Sequence, residues 1–160
     1  MKSFLSVKDT VTDVISKNPL FDGLSSRELS VVHNLSHVRN YNVGEYIFQK
    51  GQSGAGAYIV ISGKVMLETE DLYIDKNTGA EKKQFKVIEE LGVGELFGES
   101  ALTDVNDKRL VSAKAMEPSV VLSFFRPDLL DMVKQRPSLA SKILLNVSHI
   151  LADRLARLNK

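Results

Sequence analysis

The chain has 160 residues, 43% hydrophobic and 26% charged, with a formal net charge of +1. That is enough apolar material for one core and too little charge to draw the molecule onto nucleic acid or an anionic membrane. The absence of cysteine excludes disulfides, thiolate metal sites and cysteine nucleophiles, and fits a reducing compartment.

The first eighteen residues mix Lys2, Lys8, Asp9, Asp13 and Lys17 among apolar positions, so they lack the unbroken apolar run of a signal peptide. No stretch approaches the roughly 20 apolar residues of a membrane span, and the chain is expected to be cytoplasmic. Val11, Val14 and Ile15 follow the i, i+3, i+4 rhythm of a helix, which Pro19 stops. Ser25-Ser26-Arg27-Glu28 is a capping box opening a second helix to about Leu35. From His37 to Phe125 the pattern turns to short strands: Tyr46-Ile47-Phe48, Ala57 to Ser62, Val65 to Glu68, Phe85 to Leu91 and Val120 to Phe125, separated by glycines. Asp75-Lys76-Asn77-Thr78-Gly79 reads as a hairpin tip. Pro127 marks the first turn of another helix and Pro137 restarts a longer one to about Leu158. The expected fold is therefore α+β and mainly β, a single domain over residues 1–160. N-terminal helices (1–35) and two C-terminal helices (127–160) flank a jelly-roll-like barrel (36–125).

In the last helix Leu144, Val147, Leu151, Leu155 and Leu158 step by three or four residues. Two readings stay open for this stripe, packing on the barrel or a dimer seam.

Phe97-Gly98-Glu99-Ser100-Ala101-Leu102, followed by Arg109, carries the chemistry. Gly98 lets backbone N–H groups approach an anion, small Ala101 keeps the next turn open, and a helical turn begun there points free N–H groups at a phosphate. Glu99 has no local cation in sequence, and a carboxylate beside an anion site is useful when it accepts from hydroxyls such as those of a ribose. Arg109 offers a planar fork of donors suited to phosphate; read alone, it could equally pair with Asp104 or Asp107 on the surface. The set describes a sugar-phosphate site.

These residues resemble the phosphate-binding cassette of the cyclic-nucleotide-binding domain family, here residues 97–111. The resemblance extends to Asn18-Pro19-Leu20-Phe21-x-x-Leu24-Ser25, Gly44-Glu45-x-Ile47-Phe48-x-x-Gly51, Tyr58-Ile59-Val60-x-x-Gly63-x-Val65 and Gly94-Glu95 leading to Phe97. It implies that Glu99 accepts from the ribose 2′-OH and that Arg109 binds the cyclic phosphate. Backbone around Gly98, Ser100 and Ala101 would complete the cradle, and Leu67, Ile88 and Val111 would touch base or ribose. Arg154 or Leu151 would close over the purine; Arg154 read alone is a solvated helix-end cation. Two positions depart from the family: Ser100 replaces a branched apolar residue, and Leu110 replaces a small or hydroxyl-bearing one. A hydroxyl there favours guanine in the family, so Leu110 points to cAMP over cGMP, or else crowds the pocket against both.

Other motifs carry less. Gly98-Glu99-Ser100-Ala101 begins like a nucleophile elbow, but Leu102 replaces the second glycine. Gly92-Val93-Gly94 does not continue as a dinucleotide fingerprint, and residues 75–79 lack the later acidic ligands of a calcium loop. His33, His37 and His149 do not show metal-ligand spacing. The resulting expectation is a non-enzymatic sensor of a cyclic nucleotide, without cofactor or metal. It would signal through its last helices to an effector in trans, with a homodimer through the terminal helix and no direct contact with DNA or membrane. The alternative is the same fold with a degenerate pocket serving as an interaction module.

Overall fold

The computed structural model describes residues 7–159. Residues 1–6, which belong to the segment that does not read as a signal peptide, and Lys160 lie outside the described residues. Helix α1 (Val7–Lys17) buries Val11, Val14 and Ile15 and ends where Asn18 turns extended before Pro19. Asn18 then caps a 3-10 turn, Pro19–Phe21: its side-chain oxygen accepts from Leu20 N–H at 3.0 Å, and its amide donates to Gly94 O at 2.9 Å. Helix α2 (Ser26–Leu35) has the expected reciprocal capping box between Ser25 and Glu28.

Eight strands follow: β1 (His37–Tyr41), β2 (Tyr46–Phe48), β3 (Gly56–Ser62), β4 (Val65–Ile74), β5 (Glu81–Leu91), β6 (Leu96–Phe97), β7 (Ser112–Ala115) and β8 (Ser119–Phe125). They form two antiparallel four-stranded sheets, ordered β1-β8-β3-β6 and β2-β7-β4-β5. The sheets face each other across Tyr41, Phe48, Val60, Val65, Leu91, Phe97, Ala113, Ala115 and Val121. Among the described residues their hydrogen-bond ladders do not join. The closed barrel expected from the strand count is thus a two-sheet sandwich, because alternation along a strand specifies an inner face but not whether edge strands meet.

Helices α3 (Arg126–Gln135) and α4 (Pro137–Leu158) return the chain to the outer face of the first sheet. There Ala57, Ile59, Ile61, Leu122 and Phe124 pack against α1, the 3-10 turn, α3 and α4. Strands β3 and β8 are consequently buried on both faces, which explains their unbroken apolar sequences. The 3-10 turn is pinned edge-on by Phe21, whose ring centroid lies 5.9 Å from that of Phe124. Among the described residues the second sheet's outer face has no such helical cover, and β5 is exposed from Glu81 to Glu90. Its hairpin tip at residues 75–79 is closed by Asp75 N–H to Ala80 O and Gly79 N–H to Asp75 O, at 2.9 and 2.7 Å. Among the described residues, no helix is long and apolar enough to cross a membrane.

The terminal stripe divides. Val147 is buried and Leu144 and Leu151 pack on the helical core, whereas Leu155 and Leu158 are exposed. Phe124→Ala should cost about 3–5 kcal/mol by urea denaturation, since it empties a two-sided core position. Ile74→Ser on the open hairpin should stay within about 0.5 kcal/mol.

Candidate functional site

The cassette begins where β6 ends. Gly98 adopts φ +73°, the left-handed region, and turns the chain into a short 3-10 helix, Glu99–Leu102. A Cβ on Gly98 would sit 2.8 Å from Arg109 Nη1, so this position needs glycine both for its backbone and for the side chain that crosses it. The loop carrying Arg109 is sewn to the β2–β3 loop by Gly51 N–H to Arg109 O (2.7 Å), Arg109 N–H to Gln52 O (2.9 Å) and Gly54 N–H to Asp107 O (3.0 Å).

Arg109 is 5% exposed. Its Nη1 donates to Gly98 O at 2.9 Å and its Nη2 to Gly56 O at 2.7 Å. The guanidinium carbon lies 4.2 Å from the Phe48 ring centroid and 5.7 Å from that of Tyr58. Phe48, Tyr58 and Phe97 contact one another, with centroids 5.4–6.0 Å apart. An arginine over aromatic faces gains about 0.5–2 kcal/mol per contact, yet a buried cation still needs an anion. Its ion-pair partner among the described residues is Asp107, whose Oδ2 is 3.8 Å away, and Arg109 Nε is buried with no hydrogen-bond partner. The surface pairing considered from sequence is therefore an interior one, and it leaves donor capacity unused.

Glu99 is 3% exposed. The cation missing from its sequence neighbourhood comes from α4: Arg154 Nε forms an ion pair with Glu99 Oε1, and Arg154 Nη2 donates to Leu96 O at 3.1 Å. Arg154 is thus not a free helix-end charge. Burial pushes the Glu99 carboxyl above its ordinary value, and the opposing pull of its own backbone N–H, Arg154 and Arg109 does not cancel that rise.

The other expected site residues divide by position. Ala101 is buried under the cassette, while Ser100 is exposed and donates its hydroxyl to Asp107 Oδ1 at 3.0 Å. Leu67 and Val111 are half-buried against the inner core, and Leu151 packs against the helical core instead. Ile88 is 53% exposed and Leu110 83% exposed, so neither packs into the interior. A groove of about 960 Å³ between the 3-10 turn, the β5–β6 turn and α4 is lined by Leu91, Leu96 and Arg154 but by neither Glu99 nor Arg109. It meets the site only at Arg154, and we take the buried arginine as the chemical centre.

Sequence reasoning did not assign Phe48 and Tyr58 to the site, because both read as ordinary strand residues. It also missed Arg126, the first residue of α3. Its Nη1 donates to Ala101 O (2.7 Å), Asp104 O (3.0 Å) and Gly54 O (3.3 Å), tying the cassette and the β2–β3 loop to that helix. An arginine immediately before the helix-opening Pro127 was the available signal.

The sequence profile of the cyclic nucleotide-binding domain matches residues 38–136. The cyclic AMP receptor protein of Thermus thermophilus is 36% identical over 138 residues, covering 86% of this chain and 57% of that protein. The crystal structure of the Thermus thermophilus catabolite activator protein superposes with a TM-score of 0.70 at 34% identity, over 89% of this chain and 60% of that one. A cyclic nucleotide-binding domain from Methylobacillus flagellatus shares the fold, with a TM-score of 0.73 at 19% identity, covering 94% of this chain and 79% of that one. The chain spans under two thirds of the Thermus proteins' length. A profile match over well over half of the chain, on a fold that brings Gly98 together with the buried Glu99 and Arg109, places this protein in the cyclic nucleotide-binding domain family.

Proposed function

We propose that this domain is a regulatory sensor that binds a cyclic nucleotide, cAMP in preference to cGMP, and passes the event on through α4. The observation that carries the reading is Arg109: a buried guanidinium with an unpartnered Nε, beside a left-handed glycine and the turn it opens. A cyclic phosphate supplies the acceptor that Nε lacks and an anion to share the guanidinium with the carboxylate 3.8 Å away. Glu99 supplies the acceptor for a ribose hydroxyl, and Leu110 withholds the hydroxyl that would favour guanine. The work asked of these residues is recognition, and the reading includes no catalysis.

The relay follows from one contact. Glu99 holds Arg154 of α4, so a ribose hydroxyl arriving at the same carboxylate changes what that helix end is tied to. A ligand that favours one helix position over the other by differential affinity acts as a switch. The exposed Leu155 and Leu158 on that end suit a second copy of the domain or an effector chain, and the domain works in the cytoplasm without touching DNA itself.

Two outcomes are expected. Calorimetric titration should show saturable binding of cAMP, weaker binding of cGMP, and a loss of about 100-fold or more in Arg109→Ala, in line with truncating one partner of a buried charge pair. No heat with either nucleotide at millimolar concentration would sink the reading. The second outcome concerns pH. Because Glu99's folded-state carboxyl lies above its ordinary value of 4.5, its share of stability is full below that value and is lost as pH rises through the raised one. Denaturation midpoints measured across that window should fall less in Glu99→Gln than in the wild type, and a parallel fall would contradict the assignment.

A further inference from the structure

The cassette carries its own anion. Asp107 stands two residues before Arg109, and its carboxylate is divided between two partners: Oδ1 accepts from Ser100 Oγ at 3.0 Å, and Oδ2 lies 3.8 Å from Arg109 Nη1. Both acidic partners of the site are therefore already engaged, Glu99 by Arg154 and Asp107 by Arg109. The two pairs are not equivalent. The Glu99 carboxylate can serve a hydroxyl donor, whereas Asp107 has nothing to offer a phosphate except repulsion.

The placement is built rather than incidental. The Asp107 side chain is 14% exposed and that of Arg109 is 4% exposed. A Cβ added to Gly54 would meet Asp107 Oδ2 at 2.6 Å, Ala101 Cβ at 2.9 Å and Arg109 Cζ at 2.9 Å. The carboxylate, the guanidinium and the cassette turn thus converge on one bare glycine. Gly54 also fixes the aspartate's backbone through its N–H to Asp107 O. Ser100, the residue that departs from the family's apolar pattern, is what orients the carboxylate from the other side.

On the reading that this cassette takes the phosphate of a cyclic nucleotide, we propose that Asp107, oriented by Ser100, is the affinity-setting residue of the site. It is a resident counter-carboxylate with which the ligand's phosphate must share Arg109. Opposite charges this close interact appreciably even at the effective dielectric of a protein surface, and an anion reaching the guanidinium also feels the carboxylate's repulsion. Both effects weaken anion binding while stabilising the buried arginine in the free protein. The domain is thereby set to respond to a higher ligand concentration than its cradle would otherwise require.

Asp107→Asn keeps the shape and an acceptor for Ser100 while removing the charge. Calorimetric titration with cAMP should show binding about tenfold tighter than wild type, with the gain lost in the Asp107→Asn/Arg109→Ala double variant. Asp107→Ser serves as the second variant should the amide fail to fold. Unchanged or weaker affinity in a folded single variant, with wild type binding, overturns the proposal and leaves the sensor reading intact. If neither protein binds cAMP or cGMP, the sensor reading has failed and inorganic phosphate decides this one. Melting temperature should then rise more with added phosphate in Asp107→Asn than in wild type, and Arg109→Ala should remove that excess. Equal rises overturn the proposal.

Discussion

A single buried guanidinium organises this domain. Arg109 is held by two backbone carbonyls, the faces of Phe48 and Tyr58 and one nearby carboxylate, and these come from several separate stretches of chain. Gly98 and Gly54 owe their missing side chains to it, since a Cβ on either would press into the arginine. The inner core, where Phe97 and Tyr58 stack, forms the floor beneath it. A charge placed this deep is costly unless every direction around it is furnished. The loops between β2 and β3 and between the 3-10 helix and β7 meet around this charge through their backbones.

From that centre, two routes lead outward to the helices. Arg126 joins the far end of the cassette to the start of α3, and Arg154 joins its near end to α4. Arginine suits both junctions, because a planar fork can collect several carbonyl or carboxylate oxygens while staying charged. Strands β3 and β8 connect the routes mechanically. They are buried on one side against the site's aromatic floor and on the other against the helices, and close-packed interiors transmit displacement rather than absorb it.

Much of this was legible in the sequence where local chemistry dictates local structure. The Ser25–Glu28 capping box, the stop before Pro19, the restarts at Pro127 and Pro137 and the apolar run of β8 each depend on a few adjacent residues. The cassette was legible for the same reason, as a glycine, a carboxylate and an arginine in one short stretch. What could not be read involves distance or exposure. Strands β4 and β5 run far beyond their apolar segments, because cross-strand pairing carries polar residues such as Thr69, Lys86, Asp71 and Gln84 along. β6 has only two residues, and β7 is built of serine, alanine and lysine, which do not mark a strand. The Arg154–Glu99 pair spans 55 positions, and only the folded packing of α4 makes it. The separation into two sheets turns on which edges meet, which no strand encodes by itself.

The attachment of α4 has a mechanical consequence. Near its middle the helix is bolted down: Asn146 donates to Leu20 O and Asp22 O at 3.0 and 2.9 Å, and Ile143 and Val147 are fully buried. Beyond Val147 no described side chain of the helix is buried, and the polar contacts that tie it back to the body are those of Arg154. Ile150 and Leu151 still pack against the helical core, so the segment from Leu151 to Leu158 is a cantilever, about 10 Å long at 1.5 Å per residue. A tilt of about 10° at its root would carry the tip by about 2 Å, about a third of the rise of one helical turn. Its stiffness belongs to the helix, but its rest angle is held by one arginine.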